Sequence, residues 1–349
     1  MEPIHSVKSR HPLLRGLLLI LAMSGLQIAD AQQSLFRIAV NQMMSDVVWS
    51  PNGERLAVAV DDGITIYTGT LQEIAALQTG SPVAQISWSD DSNSLASIGQ
   101  NDPTAKIWRW DANTNAFVLD LTLTNDHGYS YVSAVAWSPN GDWLALLAQY
   151  QPPGAAYLIG VTEIWDTQTW TVQNSLLAEH EFPAQILKWS SDSQQIAAAA
   201  SACISNEYIS CDHPYFYIAD AVTGELNYRS RFYMPDFYTL AWSGDTKLAI
   251  ANAQEIMVFE TTINQPSAVF PNRSPIGGGT LEVDWSSDGK RLVTAYHDEG
   301  LIEIIDTETG VTLTRFSIGG LNGADLSPDD SKLATINSAD GLIEIWDVS

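Results

Sequence analysis

The chain has 349 residues, 41 acidic against 16 basic, for a net charge of −25 with only 16% of positions charged. So few Lys and Arg exclude a phosphate-neutralising nucleic-acid surface and a docking patch for anionic lipid. Hydrophobic residues at 45% support a large core and exclude disorder as the main state, while 23 Gly and 15 Pro suit many short strands and tight turns.

Lys8, Arg10 and Arg15 stand around the start of an apolar run, Leu13 to Leu26, and a small-residue stretch ends Ala29-Asp30-Ala31. A basic head, a short greasy middle and an A-x-A ending predict a signal peptide over 1–31, cut after Ala31. An uncleaved anchor is the alternative, although the run is shorter than the ~20 residues that span a bilayer. Either outcome puts 32–349 outside the cytoplasm, secreted or periplasmic, and cleavage frees it from the membrane.

Leu35 to Val40 reads as a strand with no partner nearby in sequence. After it a phrase recurs: an apolar residue, any residue, Trp-Ser, a turn, then Leu or Ile and Ala. The first copy is Val47-Val48-Trp49-Ser50-Pro51-Asn52-Gly53-Glu54-Arg55-Leu56-Ala57. Later markers are Trp88, Trp137, Trp189, Trp242, Trp285 and a degenerate Leu326, spaced 39, 49, 52, 53, 43 and 41 residues apart. A second, strand-like phrase follows each marker, as in Ile164-Trp165-Asp166, Ile304-Ile305-Asp306 and Ile345-Trp346-Asp347.

Period two puts each marker and the apolar residue two before it on one strand face. Between them stand Val48, Ser87, Ala136, Lys188, Ala241, Asp284 and Asp325, a mixed set suited to a wet face. The Ser-Pro-Asn-Gly and Ser-Ser-Asp-Gly segments, and Asp-x-x-Thr-Gly after the second phrase, predict tight turns. Each repeat thus supplies four short antiparallel strands.

Repeats of this length, the Ser-Pro-Asn-Gly turn and the terminal Trp-Asp resemble WD40 repeats. A fainter likeness is to the TolB-like periplasmic propellers. The resemblance spans the 318 residues left when 31 are taken from 349, and implies an all-β, seven-bladed β-propeller of four-stranded antiparallel blades. The chain stops after the third strand of its last blade. Leu35 to Val40 is therefore expected to supply the fourth, pairing with Leu342 to Trp346 and closing the ring, as WD40-type propellers do. The family's Gly-His ahead of the first strand is matched in spacing only by His180 and His127. Apolar packing is accordingly expected to carry the stability.

Cys203 and Cys211, the two cysteines, lie in one repeat. A disulfide clamping that loop is expected in an exported protein; a metal site with His213 is the alternative, without an evident fourth ligand. Asp61-Asp62, Asp90-Asp91 and Asp329-Asp330 read as turn residues, because calcium needs six to eight converging oxygens. No nucleophile elbow, zinc motif or phosphate loop is present. No cofactor and no catalysis are therefore expected, and a monomer is.

Connections into the first strand and between the second and third strands open on the same face of a propeller. The long ones belong to blades three to five. They carry Tyr129, Tyr131, Tyr150, Tyr157, Phe232, Tyr233 and Tyr238, beside the scarce cations Arg229 and Arg231. Aromatic loops on a rigid scaffold suit a protein or peptide partner, whereas the bland alternative is that they pack on one another. Two rivals differ in class: a carbohydrate or small-ligand propeller, and an enzyme using channel acids such as Glu282, Asp284 and Asp325. Clustered, perturbed carboxylates in one pocket would mark the second.

Overall fold

A computed structural model of the chain describes residues 33–124, 128–151, 159–177, 184–200, 215–230, 237–252, 254–261, 266–271, 280–297 and 300–349. Among these residues are 28 strands, β1 to β28 in chain order, forming seven four-stranded antiparallel sheets without a helix. The innermost strands are β2 (Met44–Trp49), β6 (Val83–Trp88), β10 (Tyr129–Trp137), β14 (Ala184–Trp189), β18 (Phe237–Ser243), β22 (Thr280–Trp285) and β26 (Leu321–Leu326). Each touches the next in this order and β26 returns to β2. The sheets are blades of a ring, as the repeat count predicted.

Closure follows the expected register. β1 (Ser34–Ala39) is the outer strand of the sheet that also holds β26, β27 (Lys332–Asn337) and β28 (Leu342–Asp347). Phe36 faces Ile345, Ile38 faces Ile343 and Ala39 faces Leu342. The Val40 N–H donates to the Gly341 carbonyl at 2.6 Å. Glu344, almost fully buried, accepts from Ser34 Oγ at 3.3 Å and lies 3.5 Å from Arg37 Nε. The latch is thus a ladder with one ion pair across it.

A four-stranded sheet cannot shield its own faces, so the core lies between blades. Ala145 and Leu147 of blade three pack with Leu187, Trp189 and Ile196 of blade four, and Trp49, Leu56 and Val58 of blade one pack with Ile336, Ile343 and Ile345 of blade seven. Each fully buried Leu or Ile contributes about 2 kcal/mol of transfer free energy.

The Trp-Ser phrase is explained by the turn after it. Ser50 Oγ donates to Asn52 Oδ1 at 2.8 Å and accepts the Arg55 N–H at 2.9 Å, holding both ends of the hairpin. Ser89, Ser138, Ser190, Ser286 and Ser327 repeat this geometry with Asp91, Asn140, Asp192, Asp288 and Asp329. The residue four after each of these markers has positive φ: Gly53, Ser92, Gly141, Ser193, Gly289 and Asp330. Blade five shortens the turn to Ser243-Gly244. The paired acids at 90–91 and 329–330 are therefore turn residues, as expected.

In the second turn, Asp166 Oδ1 accepts from the N–H groups of Gln168 and Thr169, and Asp220 and Asp306 do the same two and three residues on. The residue four after the Asp again has positive φ. It is Gly224, Gly310 or Asn115 in three blades, but Trp170 at +55° in blade three.

Candidate functional site

Every innermost strand leaves one edge unpaired, facing the axis. Its N–H and C=O groups need partners, and the neighbouring blade provides them. The Ile86 N–H donates to Asp46 at 2.8 Å, that of Val135 to Gln85 at 2.9 Å, and that of Trp137 to Ser87 Oγ at 3.0 Å. The Trp49 N–H donates to Asp325 at 2.6 Å and the Leu326 N–H to Asp284. Between blades one and two the marker indole joins as well, and from blade three round to blade six it does the joining. Trp88, Trp189, Trp242 and Trp285 donate Nε1–H to the carbonyls of Val48, Ala136, Lys188 and Ala241 at 3.0–3.1 Å.

Of these side chains, Asp46, Gln85, Ser87 and Asp325 line an axial cavity of about 390 Å³. Of the acids expected at the channel, Glu282 and Asp325 line it, joined by Asp46 and by Lys188 reaching from blade four, and Asp284 adjoins them within electrostatic reach of Lys188 and Glu282. Lys188 Nζ lies 3.9 Å from Glu282 Oε1, with the two side chains 44% and 34% exposed to channel water. Walled in by strands, that water solvates charge poorly.

Burial pushes the Glu282 carboxyl up to about 7, with Lys188 opposing the rise and Asp46 and Asp284 adding to it. Burial likewise lifts Asp46 to about 6 against the pull of the Ile86 N–H. Asp325 is raised well above the carboxylate range by burial and then by the charge of Asp284; Asp284 is raised by burial, against Lys188. Lys188 loses solvation, yet Glu282, Asp284, Asp325 and Asp46 together more than offset that and raise it. Among the described residues, no group of three or more His, Cys, Asp or Glu is arranged to hold a metal.

The cluster is the sign named above for an acidic channel site, but three of its four acids also have a structural task at the inner edge. Glu282 has only its ion pair with Lys188. Sequence reading singled out neither Asp46 nor Lys188. The available signal was the row three before each marker, where Asp46, Gln85, Thr239 and Glu282 are polar.

On the loop face, β10 begins at Tyr129, which pairs with Tyr150 on β11 (Trp143–Tyr150), and Tyr131 pairs with Gln149. Tyr129 is buried, and its hydroxyl donates to the buried Glu163 on β12 (Ile159–Asp166). It belongs to the wall of blade three more than to its surface. Tyr131 and Tyr150 are half-buried, and burial raises the Tyr131 phenol. Arg229 is exposed at the end of β17 (Leu226–Arg229). Tyr238 lies on β18, with only its backbone described. Cys203, Cys211, Tyr157, Arg231, Phe232 and Tyr233, with His127 and His180, lie outside the described residues.

The family described as WD domain, G-beta repeat matches residues 120–146, which run from β9 (Ala116–Leu123) through the third marker into β11. That repeat is one of seven built alike, each with an inner strand ending at its marker. The match and the closed ring of seven four-stranded blades together support a WD40-repeat β-propeller family.

Proposed function

We propose that the chain is exported by a leader cut after Ala31 and serves, without catalysis, as a protein- or peptide-binding scaffold working through the loop face of blades three to five. WD40 propellers are typically protein-interaction scaffolds. The supporting observation is the half-burial of Tyr131 and Tyr150 where β10 and β11 reach the loop face. A half-buried tyrosine is held by the scaffold yet still offers ring area to a partner, at low entropic cost. Tyr129, anchored to Glu163, backs this patch from below. Tyr157, Phe232, Tyr233 and Tyr238 extend it in this reading, and Arg229 and Arg231 pair with acidic groups of the partner. A Cys203–Cys211 disulfide would restrain the intervening loop.

The test is the triple variant Tyr150→Ala, Tyr233→Ala, Tyr238→Ala. Wild type is expected to retain a partner from an extract of exported proteins and the variant to lose it, with unchanged far-UV circular dichroism. Retention by the variant moves the site elsewhere.

A second reading is favoured by the clustering of Glu282 and Asp325 in one cavity, with Asp284 adjoining them: a small-ligand or carbohydrate pocket at the axis, or an acid–base site. Glycan-array binding that Glu282→Gln abolishes, with no protein captured, would support the ligand form of that reading over the loop face. Turnover lost in the same variant would support the acid–base form.

A further inference from the structure

Among the described side chains, the seven inner strands bring five charged groups to the channel. Asp46 from β2, Lys188 from β14, Glu282 from β22 and Asp325 from β26 line it, and Asp284 from β22 adjoins them within electrostatic reach of Lys188. β6 contributes Gln85 and Ser87, β10 Ala136 and β18 Thr239, none of them ionisable. The distribution is lopsided. All four acids come from the successive blades six, seven and one, and the single cation comes from across the axis.

Those blades surround the place where the two ends of the chain meet without a covalent link, the ladder between β1 and β28. Three of the acids are struts around it. Asp284 ties blade six to seven, Asp325 ties seven to one, and Asp46 ties one to two. Between blades two and three the same posts are held by Gln85 and Ser87, which do not titrate. A carboxyl group keeps its carbonyl oxygen as an acceptor when protonated. Proton uptake therefore leaves each strut in place while removing the repulsion among them.

We propose that the channel is a proton-operated clasp on the ring: proton uptake by the Asp46, Glu282, Asp284 and Asp325 cluster tightens blades six, seven and one, proton release loosens them, and Lys188 is the fixed counter-charge that keeps the clasp shut near neutrality. The titration directions agree. All four acids are raised in the folded protein, to about 6 for Asp46 and about 7 for Glu282. The folded state then holds protons that the unfolded chain has released. Stability is greatest below the ordinary carboxylate range and falls as pH rises through these folded values. Asp330, facing Asp284 from the turn after β26, adds repulsion in the same direction. Asp91, Asp288, Asp306, Asp329 and Asp347 are lowered instead, chiefly by serine, threonine and backbone donors. Their contribution is lost only in stronger acid, below the interval in which the channel acids titrate.

The test uses the full propeller, melted at pH 5, 6, 7 and 8, with amide hydrogen exchange at both ends of that range. Wild type is expected to lose several degrees between pH 5 and 8. Exchange at the Ile38, Trp49 and Leu326 amides should accelerate several-fold more than at Trp189 and Trp242. Unfolding at pH 7 should release about one to two protons. Asp325→Asn should flatten the pH slope, Lys188→Gln should steepen it, and Glu282→Gln added to Lys188→Gln should restore part of the loss. An Asp325→Asn slope equal to wild type, uniform acceleration of exchange, or no proton release would overturn the clasp. If Lys188→Gln folds at pH 5 but not at pH 8 the clasp stands; failure at both leaves the decision to the wild-type proton count.

Discussion

The inner rim of this propeller is joined in two ways, and each blade interface uses one of them at its marker. From blade three round to blade six, and also between blades one and two, the marker tryptophan donates its indole N–H to the carbonyl of the residue before the preceding marker. From blade six through seven to one, and again from two to three, that preceding residue is Asp284, Asp325 or Ser87. There it takes the backbone N–H of the next marker instead. Where a tryptophan receives this second kind of bond, as at Trp49 and Trp137, its own Nε1 has no hydrogen-bond partner. A strand edge offers both donors and acceptors to the neighbouring blade, and one residue determines which is used. This accounts for the degenerate seventh marker. Leu326 follows Asp284, whose carboxylate already serves the backbone, so no indole is needed.

The largest effect should come from cutting the carboxylate arc at its weakest point. Deleting residues 32–40 removes the β1 ladder on β28 and the Arg37–Glu344 pair, and leaves Glu344 buried without a cation. A loss on the order of 4 kcal/mol, or about 10 °C in melting temperature, is expected. An unchanged melt would mean that apolar contacts between blades seven and one close the ring without the latch.

The comparison sharpens with a matched pair of smaller changes. Trp189→Phe and Trp137→Phe remove similar ring area, but only Trp189 donates to a carbonyl, at 3.0 Å from Ala136. Trp189→Phe should therefore cost about 1 kcal/mol more, read from urea midpoints at equal m-value. Equal losses would show that the indole bond contributes nothing net and that the two kinds of joint differ only in geometry.

Much of this was legible because it is local. The marker, the serine after it and the positive-φ residue four positions on lie within a few residues of one another, so every turn carries its own instructions. The pairing of Leu35–Val40 with the last strand was legible for another reason: one strand was missing and one was spare. The contacts at the axis were not legible. Whether Asp325 caps an N–H depends on blade one, 276 residues away in sequence. The row before the markers showed only that a wet face existed. The burial of Tyr129 was not legible because it stands next to a loop. The nine-residue β10 extends to include it, and Glu163, an acid between Thr162 and Ile164 on β12, draws its hydroxyl inward. Glu303 and Glu344 occupy the matching position in β24 (Leu301–Asp306) and β28, paired with Arg315 at 3.6 Å and Arg37 at 3.5 Å. An acid inside an Ile-x-Ile strand thus signals a buried partner nearby.

The smallest expected effect concerns Trp170, which sits at +55° where other blades place Gly224, Gly310 or Asn115. A bulky side chain in that region costs about 1–2 kcal/mol. What offsets this in blade three is Trp137. Its ring is only half-buried, its Nε1 is unpartnered, and the Trp170 ring meets it edge-on at 6.0 Å between centroids. Leu71 does the same for Trp49, the other marker without an indole partner; it too has positive φ and packs in the Trp49 cluster. Trp170→Asn gives up an aromatic pair worth about 1 kcal/mol and relieves strain of similar size. Its stability should lie within about 0.5 kcal/mol of wild type, while Trp137 fluorescence shifts to the red as water reaches the ring. A loss above about 2 kcal/mol would make Trp170 part of the blade core and remove the link between a missing indole bond and a hydrophobic cover.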